Sequence, residues 1–312
     1  MATEVRSRLE ALRGVMVDEH LFACVIPSSD PHGGESVIEH WEAIRWITGL
    51  EGSVVTVVVT MTRAALWTNL RYFAAASEQL EGTDVELVKE GTVGAPTIAE
   101  WLQQELEAND YKGSTEVAVD GMCGSYAVVE ALKNDLRRHG GMTLRTNLDP
   151  VSRIWIGRPA LPMEPLERCS LECSGETVRE KLARVRRALR QRHADGMLVT
   201  SIADIAWMLN LRGSDARGVP AFVSYLLISQ DCATLFADRR ILTDDMVDYL
   251  HSGDVSVDDY GNVAKALERY LEYNILMDPY EVNYTLMGRV SRPIVKVASP
   301  IGEMKAVKKV MS

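Results

Sequence analysis

Two ten-residue stretches of this chain resemble one another. Ile44-Arg45-Trp46-Ile47-Thr48-Gly49-Leu50-Glu51-Gly52-Ser53 aligns without a gap on Ile205-Ala206-Trp207-Met208-Leu209-Asn210-Leu211-Arg212-Gly213-Ser214. In both copies a short apolar strand pattern and a Trp-bearing helical pattern precede the Gly-Ser turn, and an apolar hairpin follows. Ordered self-similarity of this kind marks a duplicated supersecondary unit. It restricts the 312 residues to two similar domains in tandem, the number that length alone also suggests.

Helical and strand patterns alternate within each half, which argues for an α/β architecture. A helix carrying Val5, Leu9, Leu12 and Met16 leads to a strand at 22–26. The turn-rich PSSDPHGGES follows, then a helix through Trp41, Ile44 and Ile47. Residues 53–60 form a β-branched run that suits a strand buried on both faces. The run 64–68 is close enough to return beside it. Thr97 with Glu100, and Thr177 with Glu180, have the spacing of capping boxes that start helices. Between 150 and 177 the periodicity lapses over four prolines, which reads as a linker. The second half restarts with a strand at 197–200, a helix through Ile205, Trp207 and Met208, and a hairpin of 221–229 with 232–237 across Gln230-Asp231. Hairpins require antiparallel pairs, so each sheet is expected to be mixed.

Charge and cysteine content exclude several classes of partner. The formal net charge is -10. The dense basic stretch, 184–192, lies on a helical pattern whose apolar stripe is Val178, Leu182, Val185 and Leu189, so its cations form a solvated face. Nucleic acid is therefore not an expected partner. The apolar run 54–61 is far short of the ~20 residues that cross a bilayer, so no membrane association is expected. Five scattered cysteines and a charged N-terminus unlike a signal peptide point to a reducing compartment and cytoplasmic localisation.

Local motifs yield no active site. The six histidines form no HExxH pattern, and Cys169-x-x-x-Cys173 lacks the second pair that a closed zinc site needs. Asp120-Gly-Met-Cys123-Gly-Ser125 has the outline of a nucleophile turn, with His139 the histidine near it in sequence. The competing reading is a glycine turn that opens a helix over 126–136. Gly91-Thr-Val-Gly94 and His32-Gly-Gly-Glu35 are too short and wrongly spaced to cradle phosphate.

Several segments taken together resemble the Xaa-Pro aminopeptidases of the creatinase/prolidase superfamily. Ile26-Pro-Ser-Ser-Asp30-Pro-His32 is similar to their IPSxDxH segment, and Ala65-Leu-Trp-Thr-Asn-Leu-Arg-Tyr-Phe73 to their WTDGRYF. Ile154-Trp-x-x-Arg158-Pro159 resembles their IWxxRP linker. Asp204-Ile-Ala-Trp-Met-Leu-Asn-Leu-Arg-Gly-Ser-Asp215 is similar to DEIAWLFNLRGSD, and Lys305-Ala-Val-Lys308 to a KAVKN-type segment. One departure is Asn69-Leu70 in place of Asp-Gly, where leucine lacks glycine's tolerance for positive φ.

The resemblance implies two tandem creatinase N-terminal-type α/β domains, each a mixed sheet flanked by helices. Their expected ranges are 1–158 and 159–304, with 305–312 opening a linker to a further domain. In the family that further domain has a pita-bread fold and holds two metal ions, usually manganese, on two Asp, one His and two Glu. None of those five positions can be matched in this chain, so it is expected to be inactive alone and to hold no metal. The intact enzyme would remove the first residue of peptides with proline second, and a homodimer is a further expectation. Arg71, Arg212, Asp215, Asp30 and His32 are the residues that could line the substrate cleft; ion pairing within their own domain is the structural alternative for Arg212 and Asp215. A different class of reading is a stand-alone protein-interaction module on a peptidase-derived scaffold.

Overall fold

The first helix forms where Val5, Leu9, Leu12, Val15 and Met16 recur on one face, and all five are buried. It belongs to a computed structural model that describes residues 2–34, 36–52, 54–108 and 112–306. The chain divides into two units, Met1–Asp30 with Glu39–Pro159, and Pro31–Ile38 with Ala160–Ser312. The short segment Pro31–Ile38, expected in the first domain, thus belongs to the second.

The first unit runs α1 (Ala2–Asp18), β1 (Ala23–Pro27), α2 (Ala43–Thr48), β2 (Val55–Thr60), β3 (Ala64–Thr68), α3 (Phe73–Gln79), β4 (Val85–Lys89), α4 (Ile98–Ala108), β5 (Glu116–Val119), α5 (Tyr126–Arg138) and β6 (Thr143–Arg145). Its six strands lie in the order β4-β3-β2-β1-β5-β6. The β1–β2 and β2–β3 pairs are antiparallel and the other three parallel. Val57, Val58 and Val59 are all fully buried, so β2 is covered on both faces. Burial of each such side chain contributes about 1.5–3 kcal/mol. One face meets Leu9, Leu12 and Met16 of α1 and Ile44 and Ile47 of α2. Trp67 of β3 meets Trp101 of α4 edge to face, their rings 5.5 Å apart. The capping box at Thr97 is present: Thr97 N–H donates to Glu100 Oε2 and Glu100 N–H to Thr97 Oγ1.

The second unit repeats the order. It contains β7 (Glu167–Arg168), α6 (Leu171–Ser174), α7 (Val178–Gln191), β8 (Gly196–Val199), α8 (Ile202–Leu209), β9 (Leu211–Arg212), β10 (Ser224–Ser229) and β11 (Ala233–Ala237). Then come α9 (Asp244–Ser252), β12 (Val255–Asp259), α10 (Val263–Glu268), β13 (Ile275–Leu276), α11 (Tyr284–Met287), β14 (Ile294–Val295) and α12 (Pro300–Ala306). Its sheet order β12-β11-β10-β8-β13-β14 is the first sheet's order with every strand replaced by its counterpart. Parallel and antiparallel pairs also match one for one. Trp46 on α2 and Trp207 on α8 stand at the same step of the two topologies. Both helices end in a left-handed residue, Gly49 (φ 77) and Asn210 (φ 51), which the ten-residue repeat had aligned. Ser53, the last residue of the first copy, lies outside the described residues.

The linker is more structured than its prolines suggest. β7 and α6 lie inside it, and β7 pairs antiparallel with β9 so that Glu167 faces Arg212. Local pattern could not reveal a two-residue strand whose partner is more than forty residues away.

Candidate functional site

A cleft of about 310 Å3 lies beside α8 in the second unit. Its organiser is Asn210, which holds the left-handed conformation that asparagine tolerates better than most residues. The Asn210 Oδ1 accepts from Lys181 Nζ, its Nδ2 donates to the Glu176 carbonyl at 2.8 Å, and its own carbonyl accepts the Cys169 N–H at 2.9 Å. Lys181 comes from α7 and is 1% exposed. Its ammonium also donates to the Trp207 carbonyl at 2.6 Å and sits 4.3 Å from the centroid of the Trp207 ring. Burial pulls this ammonium down to about 8. The sequence carried a signal for it, since Lys181 falls three residues after Val178 on the apolar stripe of α7.

The loop beyond Asn210 is fixed by backbone pairing and close packing. Arg212 lies in β9 with its side chain exposed on the cleft wall. Gly213 has an ordinary φ, but a Cβ there would stand 2.8 Å from both the Ala221 carbonyl oxygen and Phe222 Cβ. The glycine is therefore required by close approach and not by the tight turn that the sequence suggested. Asp215 Oδ2 accepts the Val223 N–H at 2.7 Å, and its N–H donates to the Ala221 carbonyl. Burial pushes its carboxyl above the ordinary range. Its role in this unit is to close the 215–223 loop. Arg212 and Asp215, close in sequence, are not paired with each other among the described contacts.

Behind the cleft lies an ionic cluster that the sequence reading missed. Lys305 of α12 donates to Asp204 Oδ1 of α8 at 2.6 Å. Helix α12 ends at Ala306, and the rest of the expected linker, 307–312 with Lys308 in it, lies outside the described residues. Asp278 accepts the Tyr280 and Ser299 N–H groups. Burial, then the nearby Asp204 and Asp278 carboxylates, push the Glu281 carboxyl up to about 7, against the pull of Lys305. A carboxyl raised in the folded state holds its proton there after the unfolded chain has released it. Stability from this group is thus full below the ordinary glutamate range near 4.5 and is lost as pH rises through about 7. Glu281→Gln should remove this loss. Between pH 5.5 and 8.5 wild type should lose about 2 kcal/mol relative to the variant in urea unfolding, and parallel pH profiles would show that Glu281 ionises freely.

The other candidates separate. His32 is buried in the second unit, where its Nδ1 lies 3.1 Å from the Thr200 carbonyl and its Nε2 3.1 Å from the Tyr260 hydroxyl. A carbonyl can only accept, so Nδ1 carries a proton, while the Tyr260 hydroxyl beside Nε2 donates to the Tyr225 hydroxyl at 3.4 Å. Tyr225 stacks on Tyr260 at 5.1 Å and contacts the His32 ring at 4.7 Å. Asp30, in the first unit, is 2% exposed. The polar loop expected to present both residues is therefore buried at these two positions. Arg71 is exposed on a short 3-10 turn, and its N–H donates to Asn69 Oδ1 at 3.1 Å. Leu70 in that turn is exposed and has no positive φ, so its replacement of glycine causes no backbone strain.

Cys123 is not placed to act as a nucleophile. It is buried at the turn before α5, and burial raises its thiol well above the ordinary range. His139 follows the far end of α5, a helix of 13 residues and so about 20 Å long, where its Nδ1 contacts the Asp135 carbonyl. The glycine-turn reading is the correct one. Among the described residues, no group of three or more His, Cys, Asp or Glu side chains is arranged to hold a metal ion. The donors among the described residues do not fit a two-metal centre. Among the same residues no helix is long and apolar enough to cross a membrane.

These features define a tandem repeat of one mixed α/β domain, with a ligand-sized cleft in the second copy. The family described as Creatinase/Prolidase N-terminal domain matches twice, over residues 8–149 and 157–311. The chain belongs to this creatinase/prolidase N-terminal family and carries two of its domains in succession. It is 32% identical to a probable Xaa-Pro aminopeptidase P of Neurospora crassa, over 99% of this chain and 46% of that protein. With the Podospora anserina counterpart it shares 33% identity over 99% of this chain and 46% of the relative. The X-prolyl aminopeptidase of Caenorhabditis elegans, described as a cytosolic enzyme with a dinuclear active site, superposes with a TM-score of 0.90. That match has 26% identity and covers 98% of this chain and 52% of the other. The chain spans about half the length of the curated relatives it matches.

Proposed function

We propose that this chain is the non-catalytic N-terminal region of a metal-dependent aminopeptidase that removes the first residue from peptides with proline second. The observation that carries the reading is the match of both domains, in order, along nearly the whole chain to proteins named Xaa-Pro aminopeptidase P. In this reading the paired metals, manganese by resemblance, and the hydrolytic step reside in sequence beyond these domains. The chain contributes the shape and charge of the substrate approach, through the cleft beside α8 and the exposed Arg212. Cytoplasmic location is supported by the description of the worm enzyme as cytosolic, and a homodimer of the intact protein is part of the same proposal.

The test is to extend the reading frame past codon 312 and express both lengths. The longer protein should cleave Xaa-Pro peptides in a metal-dependent way, and the 312-residue chain should not. Chelator-sensitive turnover by the 312-residue chain would overturn the assignment. Within the longer protein, Arg212→Ala should lower kcat/KM about tenfold, a barrier change of ~1.4 kcal/mol, with an unchanged urea midpoint. Asp215→Ala should instead lower the urea midpoint, because it leaves the Val223 N–H without its acceptor. Equal kcat/KM for wild type and Arg212→Ala would remove Arg212 from the substrate approach.

A further inference from the structure

The cleft beside α8 combines two thiols with an entirely cationic set of charged walls. Cys169 and Cys173 both line it, Cys169 half-buried and Cys173 exposed, and both are free thiols. The charged side chains on the same cleft are Lys181, Arg212 and Lys305, and no described Asp or Glu lines it. That selection stands out in a chain with 44 acidic residues against 34 basic ones. The three cations differ in what they have left to offer. Lys181 is engaged by Asn210, the Trp207 carbonyl and the Trp207 ring, and Lys305 by Asp204. The Arg212 side chain is exposed and makes no hydrogen bond or ion pair with the described residues. Its guanidinium is the group free to receive a carboxylate, in the forked geometry that suits one.

We propose that Cys173 undergoes reversible thiol–disulfide exchange with small anionic disulfides, which Arg212 draws into the cleft by their carboxylates. The reaction needs no further oxidant. The Cys173 thiol releases its proton to solvent, and the thiolate attacks one sulfur of the reagent. A protein–reagent S–S bond forms as the reagent's own S–S bond breaks, and the second half leaves as a thiolate with the electron pair. The protein sulfur is oxidised and the departing sulfur reduced. Exchange with a free small thiol reverses the step. A cleft of about 310 Å3 has room for an adduct the size of a short peptide, at the lower end of ordinary ligand sites. The proposal does not depend on the peptidase reading, because its readout is the adduct itself.

The experiment compares glutathione disulfide, which is anionic, with cystamine, which is cationic, on the 312-residue chain. Intact mass and peptide mapping follow the rate at each cysteine. Cys232, exposed on the β10–β11 hairpin outside this cleft, is the internal reference. Relative to Cys232, Cys173 should favour glutathione disulfide over cystamine by about tenfold at low salt, and high salt should collapse the preference. Arg212→Glu should reverse the preference at Cys173 and leave Cys232 as it was; should that variant not fold, Arg212→Gln should abolish the preference instead. The absence of an adduct on Cys173, equal preference at the two cysteines, or insensitivity to the Arg212 substitution would each overturn the proposal.

Discussion

Gly213→Ala is expected to destabilise the chain by about 3 kcal/mol, the upper part of the range for overpacking a filled site. Gly218→Ala, five residues on, should cost only about 1 kcal/mol. The two glycines serve different ends. Gly213 has backbone angles open to any residue, but its Cβ would meet the Ala221 carbonyl oxygen and Phe222 Cβ at 2.8 Å. Neither is the far end of a flexible side chain, so the 213–215 segment must move away from 221–222. That movement would also stretch the Asp215 hydrogen bonds to Ala221 and Val223. Gly218 has the reverse problem, a φ of +76 with open space around it. Only the left-handed backbone penalty applies there. Urea midpoints at constant m-value would separate the two, and a larger loss at Gly218 would show that the close approach at Gly213 relaxes easily.

Lys181→Met should cost about 2–3 kcal/mol at pH 7.5, although it removes a charge from the interior. Methionine fills the space but donates nothing, so Asn210 Oδ1 and the Trp207 carbonyl lose their donor. The gap should then widen with pH. Burial lowers the ammonium from 10.5 to about 8 in the folded chain. Between those values the unfolded state holds a proton that the folded state has released, so wild-type stability rises with pH across the window. The methionine variant has no such gain. By pH 10 the difference should have grown by about 2 kcal/mol, and a constant difference would mean that Lys181 titrates as a free lysine.

What the sequence made legible was local or repeated. Capping boxes at Thr97 and Thr177, the stripe on α7 and the Gln230-Asp231 hairpin each depend on residues a few positions apart. The repeat did more, because it set Gly49 against Asn210 and Trp46 against Trp207 before either was placed in space. Local reading failed where distant chain supplies the partner. PSSDPHGGES has the composition of a solvated loop, yet Asp30 and His32 are buried. The groups that receive His32, Thr200 and Tyr260, lie 168 and 228 residues away. The place of Lys181 on the apolar stripe of α7 marked it for burial but could not name its acceptors, which lie 26 and 29 residues on. For Asp215 the sequence left a cleft role and an ion pair within its own domain both open, and neither foresaw that it accepts a backbone N–H within its own loop.

The segment Pro31–Ile38 constrains how the polypeptide can be made. It is synthesised more than a hundred residues ahead of residue 160 but belongs to the unit assembled from residues after 159. Asn283, whose Nδ2 donates to the Pro31 carbonyl at 3.0 Å, is synthesised 252 residues later. At about 5–20 residues per second that is a delay of roughly 10–50 s. Throughout it, the first unit can close its own sheet while holding out a short stretch whose ring and carbonyl partners do not yet exist. Completion of the second unit is thereby tied to the synthesis of residues as far along as Asn283. A gene cut at the 159/160 boundary would deprive the later half of His32 and Ile38, so its interior would have to close around their vacant places.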